Sequence, residues 1–201
     1  TVASLGIDVL KHLFMLVATL FGALIFFVLC ILFPIAILAK VPIRRFLKAV
    51  EEPVTLAFAT ASSEAALPKA LENMRELGVP DKIVGFVLPT GYTFNLDGTT
   101  LYLSLASVFV AQAAGIDLTI GQQLVMVLTL MLTSKGVAGV ARASLVILAG
   151  TASAFGLPEW PIAAILGVDA IMDMARTGVN VLGNCLASVV VARWEGEFED
   201  R

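Results

Sequence analysis

From Leu13 to Ala39 the chain carries no charged residue, and a run of that length exceeds the ~20 apolar residues with which a helix crosses a bilayer. In hydrocarbon the backbone N–H and C=O groups must be satisfied within the segment, so such a run is expected to be helical. Composition extends that conclusion along the chain: 59% of the 201 residues are apolar and 14% are charged, against roughly 25% charged in a soluble domain. The fold class expected is an all-α membrane protein, multi-pass in the cell membrane with lipid around it. A net charge of −3 without a basic stripe offers phosphates little to bind, so nucleic-acid partners are set aside. Cys30 and Cys185 lie in apolar segments and are expected to be packing residues. No lipidation or signal-peptide pattern is read, and a chain opening on Thr1 is expected to begin mid-protein.

Residues 1–49 form the first unit, in which Lys40, Arg44, Arg45 and Lys48 follow the apolar span and mark its cytoplasmic end. In residues 50–82 the apolar stretch Pro53 to Ala66 is too short to cross, holds Ser62-Ser63 before Pro68, and returns to the charged stretch from Lys69 to Lys82. That pattern predicts a re-entrant helical hairpin, whose irregular backbone must be buried in protein or line a wet cavity. Residues 83–116 read as a transmembrane helix broken by the polar block Thr93 to Thr100. Residues 117–158 run inward and break again between Ser134 and Ser144, a second re-entrant hairpin. Residues 159–201 give one continuous last span from Ile162 to the basic-aromatic pair Arg193-Trp194, then a cytoplasmic tail. Two hairpin-plus-span units entering from opposite sides are the pattern of an inverted repeat with a midplane site. The halves share no sequence identity, and ordinary spans with tolerated Gly and Pro remain the alternative at this point.

Within the last span, Asp169, Asp173, Arg176, Thr177, Asn180 and Asn184 fall inside an arc of roughly 100° at ~100° per residue. Each charge placed there costs at least ~2.5 kcal/mol on insertion scales unless it is paired or meets water or substrate. An internal salt bridge, Asp169 or Asp173 to Arg176, that only staples helices is one reading. The other is a binding cage: an Arg fork grips a carboxylate and a nearby Asp suits an ammonium. Arg176 with Asp173 then fits an acidic amino acid, and N–H groups at the breaks Ser62-Ser63 and Gly139-Val140 suit its main-chain carboxylate.

With these residues in place the chain resembles the dicarboxylate/amino acid:cation symporter family. The matching motifs are Ser62 to Pro68, Asn95-Leu96-Asp97-Gly98-Thr99, Ser134 to Val140 and Asp169 to Asn184, in order and at the family's spacing. The resemblance implies an elevator-type transport domain that moves against scaffold helices not in this chain, in a homotrimer. It implies substrate contacts at Ser63, Thr99, Val140, Asp173, Arg176, Thr177 and Asn180, with the second hairpin as extracellular gate. It implies cation binding at Gly91, Thr93, Asn95, Asp97, Ser134, Asn180 and Asn184, with sodium at Asn95 and Asp97. The coupling ion is then a proton, sodium or both, and no prosthetic cofactor is expected.

The departures shape the expectation further. Asn184 stands where sodium-driven members carry an Asp, which weakens one sodium site, since a neutral amide is a poorer ligand for a hard cation. Leu96 replaces a Met, Leu103 stands where animal members have a Glu linked to potassium coupling, and Ala141-Arg142 replaces a Pro-Gly pair. Glu64 is read as a carboxylate stabilising a helix N-terminus, with proton carriage as its sharper alternative. The function expected is symport of glutamate or aspartate; a C4-dicarboxylate symporter of the same fold is the alternative. A channel fits less well, because opposite charges converging on one spot trap ions. No catalytic set assembles, His12 standing apart at the head of the first span, so an enzyme is not expected.

Overall fold

The computed structural model describes residues 7–135 and 143–200, and all the regular elements among them are helices. Helix α1 (Ile7–Phe27) passes through a wider turn at Val28–Leu32 into α2 (Phe33–Leu38). Pro34 has no N–H to give the Cys30 carbonyl, and the turn opens so that Phe33 N–H reaches the Val28 carbonyl five residues back. The helical rod from Val9 to Leu38 still spans 30 residues, about 45 Å at 1.5 Å per residue, enough to cross a bilayer. It ends in a Schellman cap, with Lys40 at φ 55° and Val41 N–H on the Ala36 carbonyl at 2.9 Å.

Helices α3 (Ile43–Thr60) and α4 (Ser63–Leu77) follow as a tightly linked pair, and α3 already begins within the residues assigned above to the first unit. Ser62 caps α4 by accepting Ala65 N–H at 3.3 Å, and Glu64 lies in the first turn, where a carboxylate favours the helix dipole. Helix α5 (Asp81–Phe94) stops at Asn95-Leu96 and α6 (Asp97–Ala113) restarts, inside the polar block that marks the break. Helix α7 (Ile120–Thr133) opens on a Thr119/Gln122 capping box, and α8 (Ala143–Ala154) packs against it. Helix α9 (Trp160–Ile165) and α10 (Asp169–Trp194) complete the chain.

One expectation is corrected here. The last span is not continuous from Ile162: α9 ends at Ile165, the backbone turns through Leu166 to Val168, and α10 starts at Asp169. Gly167 and Val168 donate to Ala164 and Ile165, three residues back, so the helix tightens and stops without a proline. Cys185 is buried as expected, whereas Cys30 is exposed, on the outer side of the wide turn.

Two apolar cores are built around α10. One joins α2, α3, α4 and α5 to the C-terminal half of α10 through residues such as Val50, Met74, Leu88 and Val189. The other joins α1, α6, α7, α8 and α9 to its N-terminal half through Leu20, Tyr102, Leu148 and Met172. The apolar window of α10 is 72% buried, that of the first rod only 22%. Helix α10 is thus the axle, and its polar stripe lies where the two cores meet.

Beyond Trp194 the tail folds back on the α4–α5 turn. Glu199 N–H donates to the Gly78 carbonyl at 2.9 Å, Lys82 Nζ to Glu197 at 2.6 Å, and Arg193 to both Asp200 oxygens at 2.8 and 2.7 Å. Hydrogen bonding from Arg193 holds the Asp200 carboxyl below its ordinary value. A depressed carboxyl stabilises the folded tail above the ordinary carboxylate range and loses that contribution as pH falls through the lowered value. Acidification is therefore expected to speed amide exchange over residues 197–200, relative to intrinsic rates. Asp200→Asn should exchange fast already at neutral pH, and identical protection in both proteins at all pH values would refute the clamp.

Candidate functional site

Arg176 is 1% exposed, halfway along a helix that is itself the core axle, beside Asp169 at 0% and Asp173 at 5%. Burying these ions costs several kcal/mol each unless geometry compensates, and the helix supplies compensation through its spacing. Arg176 Nε donates to Asp173 Oδ1 at 3.0 Å, one turn back, and Nη1 to Asp169 Oδ1 at 3.5 Å, two turns back. The guanidinium stacks on the Tyr102 ring of α6 at 3.9 Å from the centroid, a contact in which the ring face attracts the cation. Thr177 Oγ1 reaches Asp173 Oδ1 at 3.5 Å.

This cluster has polar capacity to spare. Arg176 Nη2 lies 2.9 Å from Asp173 Oδ1 without an aligned hydrogen bond, and among the described residues Asp169 Oδ2 and the Tyr102 hydroxyl have no well-aligned hydrogen-bond partner. Buried polar atoms without partners are uncommon and mark places where a ligand or water completes the network. A guanidinium offers the planar fork that a carboxylate takes in bidentate fashion.

One turn further along α10, the broken helix docks. Asn180 Oδ1 accepts Gly98 N–H at 2.7 Å and Thr99 N–H at 3.3 Å, while its Nδ2 donates to Thr99 Oγ1 at 2.9 Å. These are amides at the start of α6, the donors a helix N-terminus leaves free. A Cβ at Gly98 would overlap the Arg176 carbonyl oxygen, so only glycine lets the two backbones approach this closely. Asn184 binds the last turn of the preceding helix: its Nδ2 donates to the Asn95 carbonyl at 3.1 Å and the Asn180 carbonyl at 2.9 Å, and its Oδ1 accepts Asn95 Nδ2 at 3.3 Å. A Cβ at Gly91 would collide with that Oδ1. Asp97 faces the same helix, its Oδ2 2.7 Å from where a Gly183 Cβ would stand.

The structure thus brings together Thr99, Asp173, Arg176, Thr177 and Asn180, and beside them Gly91, Asn95, Asp97 and Asn184. Ser63 is buried in the first turn of α4, Thr93 half-buried near the end of α5, and Ser134 buried with its Oγ on the Met131 carbonyl at 3.2 Å. Among the described residues no hydrogen bond links these three to α10. Val140, with Gly139 and Ala141-Arg142, lies outside the described residues. Sequence reasoning missed Tyr102 and Lys135. Tyr102 is one of only two tyrosines, each in an apolar run, where the hydroxyl is a signal that needs a partner. Lys135 is a cation in a long apolar stretch, and its Nζ donates to the Phe94 carbonyl at 2.6 Å.

Comparison with known proteins gives this geometry a context. Residues 1–194 match the sodium:dicarboxylate symporter family. The chain is 45% identical to the proton/sodium-glutamate symport protein of Geobacillus stearothermophilus over 100% of its own length and 48% of the relative's. It is 47% identical to the proton/glutamate-aspartate symporter of Escherichia coli over 99% of the chain and 46% of that protein. A C4-dicarboxylate transport protein of Bacillus subtilis is 41% identical over 100% of the chain and 48% of that relative. The chain spans about half the length of the curated relatives it matches. The matched family and these relatives are transporters, not enzymes.

Proposed function

The chain belongs to the sodium:dicarboxylate symporter family, and from that premise we propose that the complete protein is a secondary symporter of glutamate and aspartate, coupled to protons with sodium as a further coupling ion. The observation that carries the reading is Arg176, buried between two carboxylates in a helix long and apolar enough to cross a membrane, with a donor left over. Arg176 holds the substrate's side-chain carboxylate, Asp173 its ammonium, and Thr177, Asn180 and Thr99 the remaining polar groups. Ser63 and Val140 supply main-chain donors for the α-carboxylate. The cation sites draw on Asn95 and Asp97, with main-chain oxygens near Gly91, Thr93, Ser134 and Asn180. The pairs α3–α4 and α7–α8 are the re-entrant hairpins, related as an inverted repeat, and the second is the outer gate. The described helices form a transport body that moves as an elevator against scaffold helices from the other half of the protein, in a homotrimer surrounded by lipid.

The test is uptake of labelled glutamate by the complete protein in proteoliposomes, under an inward proton gradient or an inward sodium gradient, with aspartate and succinate as competitors. Accumulation with protons alone, blocked by aspartate but not by succinate, is the expected result; equal uptake with and without a proton gradient in sodium-free medium would sink proton coupling.

The second reading, a C4-dicarboxylate symporter, is favoured by the 41% identity to a relative named for that transport. Asp173 separates the two, because only an amino acid has an ammonium to meet it. Asp173→Ser is expected to weaken glutamate binding by roughly 10- to 100-fold, the worth of a charge-assisted hydrogen bond, and leave succinate less affected. An unchanged ratio of glutamate to succinate affinity would remove Asp173 from the amino-group site.

A further inference from the structure

In an uninterrupted helix the Phe94 carbonyl would accept the N–H of Gly98, four residues on. The break diverts that amide to Asn180 Oδ1, while Asn95 sits outside helical space at φ −113°, ψ 75°. The freed carbonyl is taken instead by Lys135 Nζ at 2.6 Å, from 41 residues away in the chain. Three features make the contact specific to a cation. The C-terminal end of α5 carries the negative pole of its dipole. Asp97, three residues on, lies within electrostatic reach of the same ammonium. And among the described residues no carboxylate lies in salt-bridge range of Lys135, so the helix end is its partner.

Lys135 stands just past α7, where the chain leaves towards α8. Helix α7 otherwise packs on α6 and α8, so this hydrogen bond ties the α7–α8 pair to α5. We propose that Lys135 is a positioning residue: a tethered cation that replaces the hydrogen bond lost at the helix break and latches the C-terminal end of α7 onto the C-terminal end of α5. The reading of the break beside it as cation-binding rests on the function proposed above; the latch itself rests on the hydrogen-bond geometry. A single charge-assisted bond at an exposed position favours the docked arrangement by about tenfold, a latch that holds and still releases.

The test uses the complete protein in nanodiscs, with the exposed Cys30 replaced by serine, spin-labelled at Phe86→Cys on α5 and Leu132→Cys on α7, both exposed positions. Lys135→Met is expected to populate a longer inter-label distance and to raise the apparent KM for glutamate about tenfold, while Lys135→Arg restores the distances of the unmutated protein. An unchanged distribution in Lys135→Met would overturn the latch, and so would a Lys135→Arg protein as open as the Met variant. The distance measurement needs no substrate, so it judges the latch even if the uptake experiment rejects glutamate.

Discussion

Replacing Arg176 by alanine in the complete protein is expected to lower glutamate and aspartate affinity by 100-fold or more and to destabilise the fold by about 3–5 kcal/mol, with neutral amino acids tolerated instead. Both effects come from one guanidinium, which the structure surrounds with Asp169, Asp173 and the Tyr102 ring. Its loss leaves two buried carboxylates without a counter-charge, and that uncompensated charge is the larger part of the stability cost. A second variant separates folding from binding. Arg176→Ala combined with Asp169→Asn removes one stranded carboxylate, so thermal unfolding should recover part of its midpoint while acidic substrates stay unbound. Arg176→Lys keeps the charge but loses the planar fork, and should bind acidic substrates more weakly than the unmutated protein and more tightly than the alanine variant. Glutamate affinity retained in Arg176→Ala, measured by equilibrium binding to protein that unfolds cooperatively, would remove Arg176 from the substrate site.

What the sequence reveals of this arrangement follows from the range over which each signal acts. The stripe on α10 is legible because helical spacing alone puts Asp169, Asp173, Arg176 and Asn180 on one face, and charges in an apolar run are costly enough to stand out. The break at Asn95-Leu96 is legible because a polar block interrupts an apolar span. The break between Ile165 and Asp169 is not: Leu166-Gly167-Val168 is apolar, contains no proline, and reads as uninterrupted helix. Contacts between distant segments leave weaker traces. Tyr102 reads as core until Arg176 is found beneath its ring, and Lys135 finds its partner only because the broken helix exposes a carbonyl that no pattern of residue types announces. Cys30 shows the same limit from the other side, since an apolar neighbourhood in sequence did not make it buried.

The second large effect concerns Asn184, whose amide donates two protons to the main-chain oxygens of Asn95 and Asn180, at 3.1 and 2.9 Å. Those donors occupy carbonyl oxygens that a hard cation would otherwise take as ligands. Asn184→Asp replaces them with a carboxylate oxygen, so an anionic group and two carbonyls converge with nothing positive between them. In a site that is 0% exposed, the expected cost is about 3–5 kcal/mol of folding stability, the range for an uncompensated buried charge. Sodium should restore it. A cation that binds only the folded protein adds about 2.7 kcal/mol at 100 times its Kd, so Asn184→Asp should gain thermal stability with added sodium beyond any gain in the unmutated protein, while choline gives none. Uptake by the variant should rise with sodium in the same concentration range. Equal sodium responses in the two proteins would mean that residue 184 does not set the balance between proton and sodium. A selective response would trace that balance to one amide nitrogen, which in the unmutated chain supplies from within the protein the positive charge density that sodium would bring from outside.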